Sequence, residues 1–172
     1  TATYTVLAGD TGATAVVVNS TDTAGNTASK TLSSAVTIDT AAPATPTLAL
    51  GTGVTGGATA AEATQVGGVV TISAENASAI SVDLSNGTHH VTKTLTGTGS
   101  AQAITLTSGD LSTLTDGTIT VSATATDAAG NISSAGTTSF VLDTTAPVIG
   151  TITEVSNNAT TTLAKAGDTI TA

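Results

Sequence analysis

Along this chain apolar and polar residues alternate in short runs, and no run keeps a helical period for long. Residues 80–84 alternate cleanly, and Asn86-Gly87 follows as a hairpin signal. Residues 91–95 pair back from it. The same reading predicts strands over 13–20, 32–38, 47–50, 69–74, 104–106, 119–126 and 139–142. Gly51 to Gly57 reads as a flexible turn region, and Leu111 with Leu114 as a compact turn of about one helical turn. Phe140 is a predicted core residue. Seven or so short strands with turns between them predict a two-sheet antiparallel sandwich for the middle of the chain.

The pattern repeats. Thr126-Asp127-Ala128-Ala129-Gly130-Asn131, followed by Asp143-Thr144-Thr145-Ala146-Pro147, has an earlier copy. That copy is Thr21-Asp22-Thr23-Ala24-Gly25-Asn26, followed by Asp39-Thr40-Ala41-Ala42-Pro43. The offsets are 127 − 22 = 105 and 143 − 39 = 104. A period of that length belongs to tandem domains rather than to a solenoid of small units. Three segments follow: 1–43 as the C-terminal part of one repeat, 44–147 as a complete repeat, and 148–172 as the N-terminal part of a third. The last assignment rests on Ala166 to Ala172, which parallels Gly68 to Ala74. Pro43 and Pro46 fix φ and donate no hydrogen bond, so the linker between the first two segments is stiff and ends the sheet.

Composition sharpens this picture. The chain of 172 residues has one Phe, one Tyr and no Trp or Met. Its core must be built from Val, Ile, Leu, Ala and Thr methyl groups, which favour strands. Twelve acidic residues against three basic ones give a net charge of −9. That balance argues against nucleic acid and against an anionic membrane surface. No membrane span appears in the sequence, so no membrane insertion is expected. Without cysteine, neither a disulfide framework nor a thiolate metal site is possible. No catalytic constellation stands out and no Gly-rich phosphate loop is present, so no enzymatic activity is expected. His89 and His90 are adjacent; on a strand they point to opposite faces and do not easily grip one ion.

The run from Asp116-Gly117-Thr118 through Thr126 to Asn131 and on to Pro147 resembles the bacterial immunoglobulin-like repeats of large surface adhesins and extracellular fibre proteins. The resemblance implies an all-β fold of tandem Ig-like antiparallel β-sandwich domains, here one complete and two partial. It implies a place in a long extracellular array on a bacterial surface, where such repeats serve cell adhesion, and calcium between neighbouring domains. The Ca2+ ligands would be Asp39, Glu75, Asp127 and Asn131, with equivalent partial sites at Asp22, Asn26 and Asp143. Geometry adds to this. The loop between the last two strands of an Ig-like sandwich lies where the chain arrives, so Asp127 and Asn131 should meet the linker that carries Asp39. The strand ending at Glu75 should finish at that end too. Calcium takes about six to eight oxygen ligands, carbonyls and water included. The same residues also suit a purely structural reading, in which Asp127 and Asn131 stabilise their turn and Asp39 opens the linker.

The expected role is that of a structural extender module that holds distance and direction, its partners being neighbouring repeats of the same or an identical chain. Two alternatives remain open: a subunit of a self-assembling surface layer or filament, and a carbohydrate-binding or enzyme-accessory domain. The scarcity of aromatic platforms weighs against the last. Segments 1–43 and 148–172 together lack the part that matches 75–103. A sandwich joined from two copies would therefore have a gap in one sheet. The expectation is a segment of a longer polypeptide; a homopolymer formed by strand exchange is the alternative.

Overall fold

The computed structural model describes residues 4–32, 36–151, 153, 155–157, 160, 163–167 and 169–171. Its centre is a two-sheet antiparallel sandwich. One sheet has the order β5-β6-β9, formed by Thr47–Leu50, Val70–Ser73 and Gln102–Ile104. The other has the order β11-β10-β7-β8, formed by Gly136–Leu142, Gly117–Thr126, Ala79–Ser85 and His90–Thr96. Strict alternation builds this arrangement. Along β7, Ile80, Val82 and Leu84 are buried while the residues between them are not; along β10, Ile119, Val121, Ala123 and Ala125 do the same. Successive side chains on a strand face opposite ways, so each run delivers one apolar face to the interior. That face meets Val70, Ile72 and Ile104 from the opposite sheet. Phe140 is 4% exposed and lies in the core, as its sequence setting predicts.

The β7–β8 hairpin turns at Asn86. Its Oδ1 accepts from Thr88 N at 2.9 Å and His89 N at 2.8 Å, while Gly87 takes φ +92°. An Asx-type side chain thereby satisfies two backbone donors that the turn would otherwise leave open.

Two short helices go beyond the predicted elements. α1 (Ala60–Ala63) lies in the connection between β5 and β6, just after a 3-10 turn at Val54–Gly56. α2 (Ser108–Leu114) extends the predicted turn near Leu111 to seven residues. Both start with a capping box: Thr59 with Glu62, and Thr107 with Asp110. Each threonine accepts from the backbone three residues on, and each acid returns to the threonine's N–H, so two open helix donors are satisfied at once. Sequence periodicity misses α1 because four residues are too few to show one; the Thr-x-x-Glu signature is the signal that marks it.

The described residues between 4 and 38 include two antiparallel ribbons. β1 (Gly12–Thr14) pairs with β4 (Val36–Ile38), and β2 (Val17–Thr21) pairs with β3 (Thr27–Thr31). The single strands expected over 13–20 and 32–38 are thus corrected. The first is interrupted at Ala15 and Val16. In the second, β3 stops at Thr31 and β4 begins at Val36; residues 33–35 lie outside the described residues. The physical reason is a change of register, since Thr14 faces Val36 while Val17 faces Thr31. One uninterrupted ladder cannot hold both pairings. Towards the C-terminus, β12 (Val155–Ser156) pairs with β13 (Ile170–Thr171). Of the 166–172 parallel, Asp168 and Ala172 lie outside the described residues. Among the described residues, no helix is long and apolar enough to cross a membrane.

Candidate interdomain junction

The sandwich has two poles, and the chain arrives at one and leaves from the other. β5 starts beside the start of β11. A Cβ added to Gly136 would stand 2.0 Å from the carbonyl oxygen of Pro46, so only glycine lets the arriving backbone pass. Pro43 and Pro46 are both buried there. β6 runs antiparallel to β5 and therefore ends at the same pole, which brings Glu75 to it. The β10–β11 connection, with Asp127 and Asn131, also turns at this pole, because Thr126 pairs with Ala79 at the start of β7.

That connection is closed by its own side chains. Asp127 Oδ1 accepts from the backbone N–H groups of Ala129 (2.8 Å) and Asn131 (2.9 Å). Asp127 Oδ2 accepts from Asn131 Nδ2 at 2.8 Å, and Gly130 takes φ +94°, which glycine allows without steric cost. The donated bonds, led by the Asn131 side chain, hold the Asp127 carboxyl below its ordinary value of 3.8. Just beyond the loop, two residues of β10 (124–125) face three residues on the other side (133–135) between the pairs Ala123–Gly136 and Thr126–Ile132. Ser133 fills this bulge. Its Oγ accepts from Ala125 N at 2.9 Å and donates to Ser134 O at 2.8 Å.

The Asn131 amide reaches out of its own loop. Nδ2 also donates to the backbone carbonyl of Asp39 at 3.1 Å, across 92 positions of sequence. The linker is held from the other side as well: Thr40 Oγ1 donates to Asp10 O at 3.0 Å and accepts from Gly9 N at 3.3 Å. The Asp39 carboxylate turns back on its own chain, with Oδ1 accepting from Ala41 N at 3.0 Å.

Three of the four residues expected around calcium therefore meet: Asp127 by its carboxylate, Asn131 by its amide, Asp39 by its carbonyl. Glu75 is at the same pole, with an exposed side chain, and makes its recorded bonds through its backbone carbonyl to Ser78. Among the described residues no three His, Cys, Asp or Glu side chains are grouped to hold an ion. Asp127 Oδ2 and Asp39 O converge on one point, which the Asn131 NH2 fills; turning that amide would present its Oδ1 there as a third oxygen.

Residues 1–102 match the bacterial Ig-like domain (group 3) family. The chain belongs to that family. The matched stretch covers more than half of this Ig-like chain and runs across the linker into the sandwich. No curated protein matches it. Among solved structures, it is similar to a tetra-tandem repeat in the extending region of a large adhesion protein, with 24% identity and a TM-score of 0.46. That similarity covers 77% of this chain and 32% of the other, so the chain spans about a third of that structure's length.

The first loop of this Ig-like chain repeats the internal bonds of the second. Asp22 Oδ1 accepts from Ala24 N and Asn26 N, both at 2.9 Å; Oδ2 accepts from Asn26 Nδ2 at 2.8 Å; Gly25 takes φ +91°. Asp22 is lowered for the same reasons, the Asn26 side chain first. At the opposite pole, Asp143 Oδ1 accepts from Thr145 N at 3.1 Å. The residue that sequence reasoning overlooks is Asp116. It accepts from Thr144 N (2.9 Å) and Thr144 Oγ1 (2.7 Å) through Oδ1, and from Thr145 Oγ1 (2.7 Å) through Oδ2. The hydroxyl of Thr145, then that of Thr144, lowers its pKa. This clamp fixes the departing chain. Its only sequence signal is an Asp-Gly turn one strand pair before Asp-Thr-Thr. His90 is engaged elsewhere: its Nδ1 lies 2.9 Å from Asp83 Oδ2 on the neighbouring strand.

Proposed function

We propose that this chain is a structural extender module of a long, repetitive extracellular adhesin or fibre of a bacterial surface, with calcium stiffening its junctions. The observation that carries the reading is the contact between Asn131 and the Asp39 carbonyl, which ties a sandwich to the linker that enters it. In this reading residues 44–147 are a complete Ig-like repeat and residues 1–43 and 148–172 are parts of its neighbours. Work of this kind is mechanical and needs no catalytic group. Membership of the bacterial Ig-like family supports it, as do the repeated Asp–Asn loop, the bonds that hold the first linker from both sides and the Asp116 clamp on the departing chain. The net charge of −9 disfavours a nucleic-acid partner. Calcium would be held by Asp127, Asn131 and Asp39, with Glu75 swinging in from the same pole; Asp22 and Asn26 would serve a preceding linker, and Asp143 a following domain.

Small-angle scattering of the whole chain tests the calcium part. Extracellular calcium modules bind at roughly 10⁻⁴–10⁻³ M, so a few millimolar calcium is compared with chelator. The expected result is a narrower range of junction angles in calcium, and no response in Asp127→Ala. Superimposable profiles for the unaltered chain in the two conditions would remove calcium from the mechanism.

A further inference from the structure

We infer that the asparagine closing each Thr-Asp-x-Ala-Gly-Asn loop is a receptor for a backbone carbonyl of the arriving linker, and that this latch holds the junction without any metal. The inference rests on the extender reading and uses the same pole, but in the metal-free junction Asn131 acts as a donor, where calcium would need its oxygen.

The argument begins with what an amide side chain can offer. Asn131 has two N–H donors on one nitrogen. One goes to Asp127 Oδ2 at 2.8 Å and closes the loop. The other is left pointing outward, and the structure fills it with the Asp39 carbonyl at 3.1 Å. Both neighbours are acceptors only, so the nitrogen, and not the oxygen, must face them. An asparagine acting as a cation ligand would have to present its oxygen instead, and would give up both bonds.

The first loop is an internal control. Asn26 makes the same bond to Asp22 Oδ2, at the same 2.8 Å, in a turn of the same geometry. It differs in one respect: among the described residues its amide has no second acceptor. The loop therefore closes by the same internal bonds with or without a contact to a linker carbonyl, and the second N–H of the amide is its reading head. What it reads is an extended backbone carbonyl, a group any sequence supplies. The linker sequence adds position. Thr40, next to Asp39, is gripped through its hydroxyl by Gly9 N and Asp10 O. Two consecutive linker residues are thus held from opposite sides, one by the ribbon before the linker and one by the sandwich after it. Pro43 then fixes φ three residues on from Thr40.

The test uses the whole ¹³C,¹⁵N-labelled chain in chelator, so that a failure of the calcium reading cannot imitate a failure of the latch. Exchange of the side-chain amide protons is followed by NMR. Asn131 should show two slowly exchanging protons, and Asn26 one slow and one at least several-fold faster. A coupling through the hydrogen bond from Asn131 Nδ2 to the Asp39 carbonyl carbon should be present. Equal exchange at the two asparagines, or no such coupling, would overturn the inference. Asn131→Asp supplies the second arm. It leaves the backbone donors of residues 129 and 131 to Asp127 in place but removes both side-chain donations, so Asn26→Asp, which loses only the loop-closing bond, is measured beside it as the control for the turn. Relaxation of amides 39–42 in chelator should then report a looser linker than in the unaltered chain. An unchanged linker would count against the latch. If the unaltered linker is already as loose as the variant's in chelator and tightens with calcium, the latch is wrong while the calcium reading stands.

Discussion

Single residues decide where this chain can pass close to itself. Gly136 is the clearest case, because the Pro46 carbonyl occupies the space that any Cβ there would need. A backbone oxygen cannot rotate aside as a side chain can, so Gly136→Ala must displace either β11 or the arriving segment. The expected loss is about 2 kcal/mol of unfolding free energy, within the range of overpacked sites. Gly56→Ala serves as the control, since nothing stands within 4 Å of where its Cβ would lie. Denaturant titration checks both; equal midpoints for the two variants would contradict this account of the pole. Residue-scale chemistry was only partly legible in the sequence. Asp127 and Asn131 could be read because turn acids and glycine announce themselves. Asp116 could not, because its partners Thr144 and Thr145 come next to it only when β10 and β11 pair.

At the scale of elements, alternation of apolar and polar residues located every strand of the sandwich, with ends shifted by a residue or a few. It failed where the element was too short to carry a period, as for α1, and where the ladder changed register, as between β1 and β2. α2 shows how a helix is fixed to a sheet it does not belong to. Lys93 on β8 reaches Asp110 on α2 at 2.6 Å, with both side chains partly buried. Burial alone would raise the Asp110 pKa, but Lys93 and the Thr107 donors outweigh it and keep the carboxyl below its ordinary value. Lys93 also lies on an edge strand, where a lysine discourages pairing with another chain. Lys93→Met keeps the aliphatic stem and the Thr107 capping box while removing the charge. It should cost about 1 kcal/mol, allowing for the part of the pair that water still reaches. A denaturation midpoint equal to that of the unaltered protein would show that α2 docks without the pair.

For the molecule as a whole, burial separates two kinds of structure. The sandwich encloses its apolar face, whereas Val16, Val18 and Val36 in the ribbons of residues 4–38 stay 45%, 60% and 58% exposed. Amide hydrogen exchange should reflect this, with β2 and β3 exchanging on the order of a hundredfold faster than β7 and β10, because opening a ribbon uncovers no core. Equal protection would mean that the ribbons are covered in solution. The two-sheet fold was readable from sequence because one period-2 rule governs all its strands. How the linker is gripped was not, because that depends on backbone carbonyls that every residue possesses. One further consequence lies in the last strand. β5 and β11 run in the same direction at adjoining edges of the two sheets. Residue 58 is bridged in parallel to Leu142, with Ala58 N donating to Val141 O at 2.7 Å and Asp143 N to Ala58 O at 2.9 Å. A tug between the poles therefore pulls along these bonds' strands and loads them all together in shear. Bonds loaded in shear break together rather than unzip one by one, so this bridge resists such a tug better than a peeled pair would.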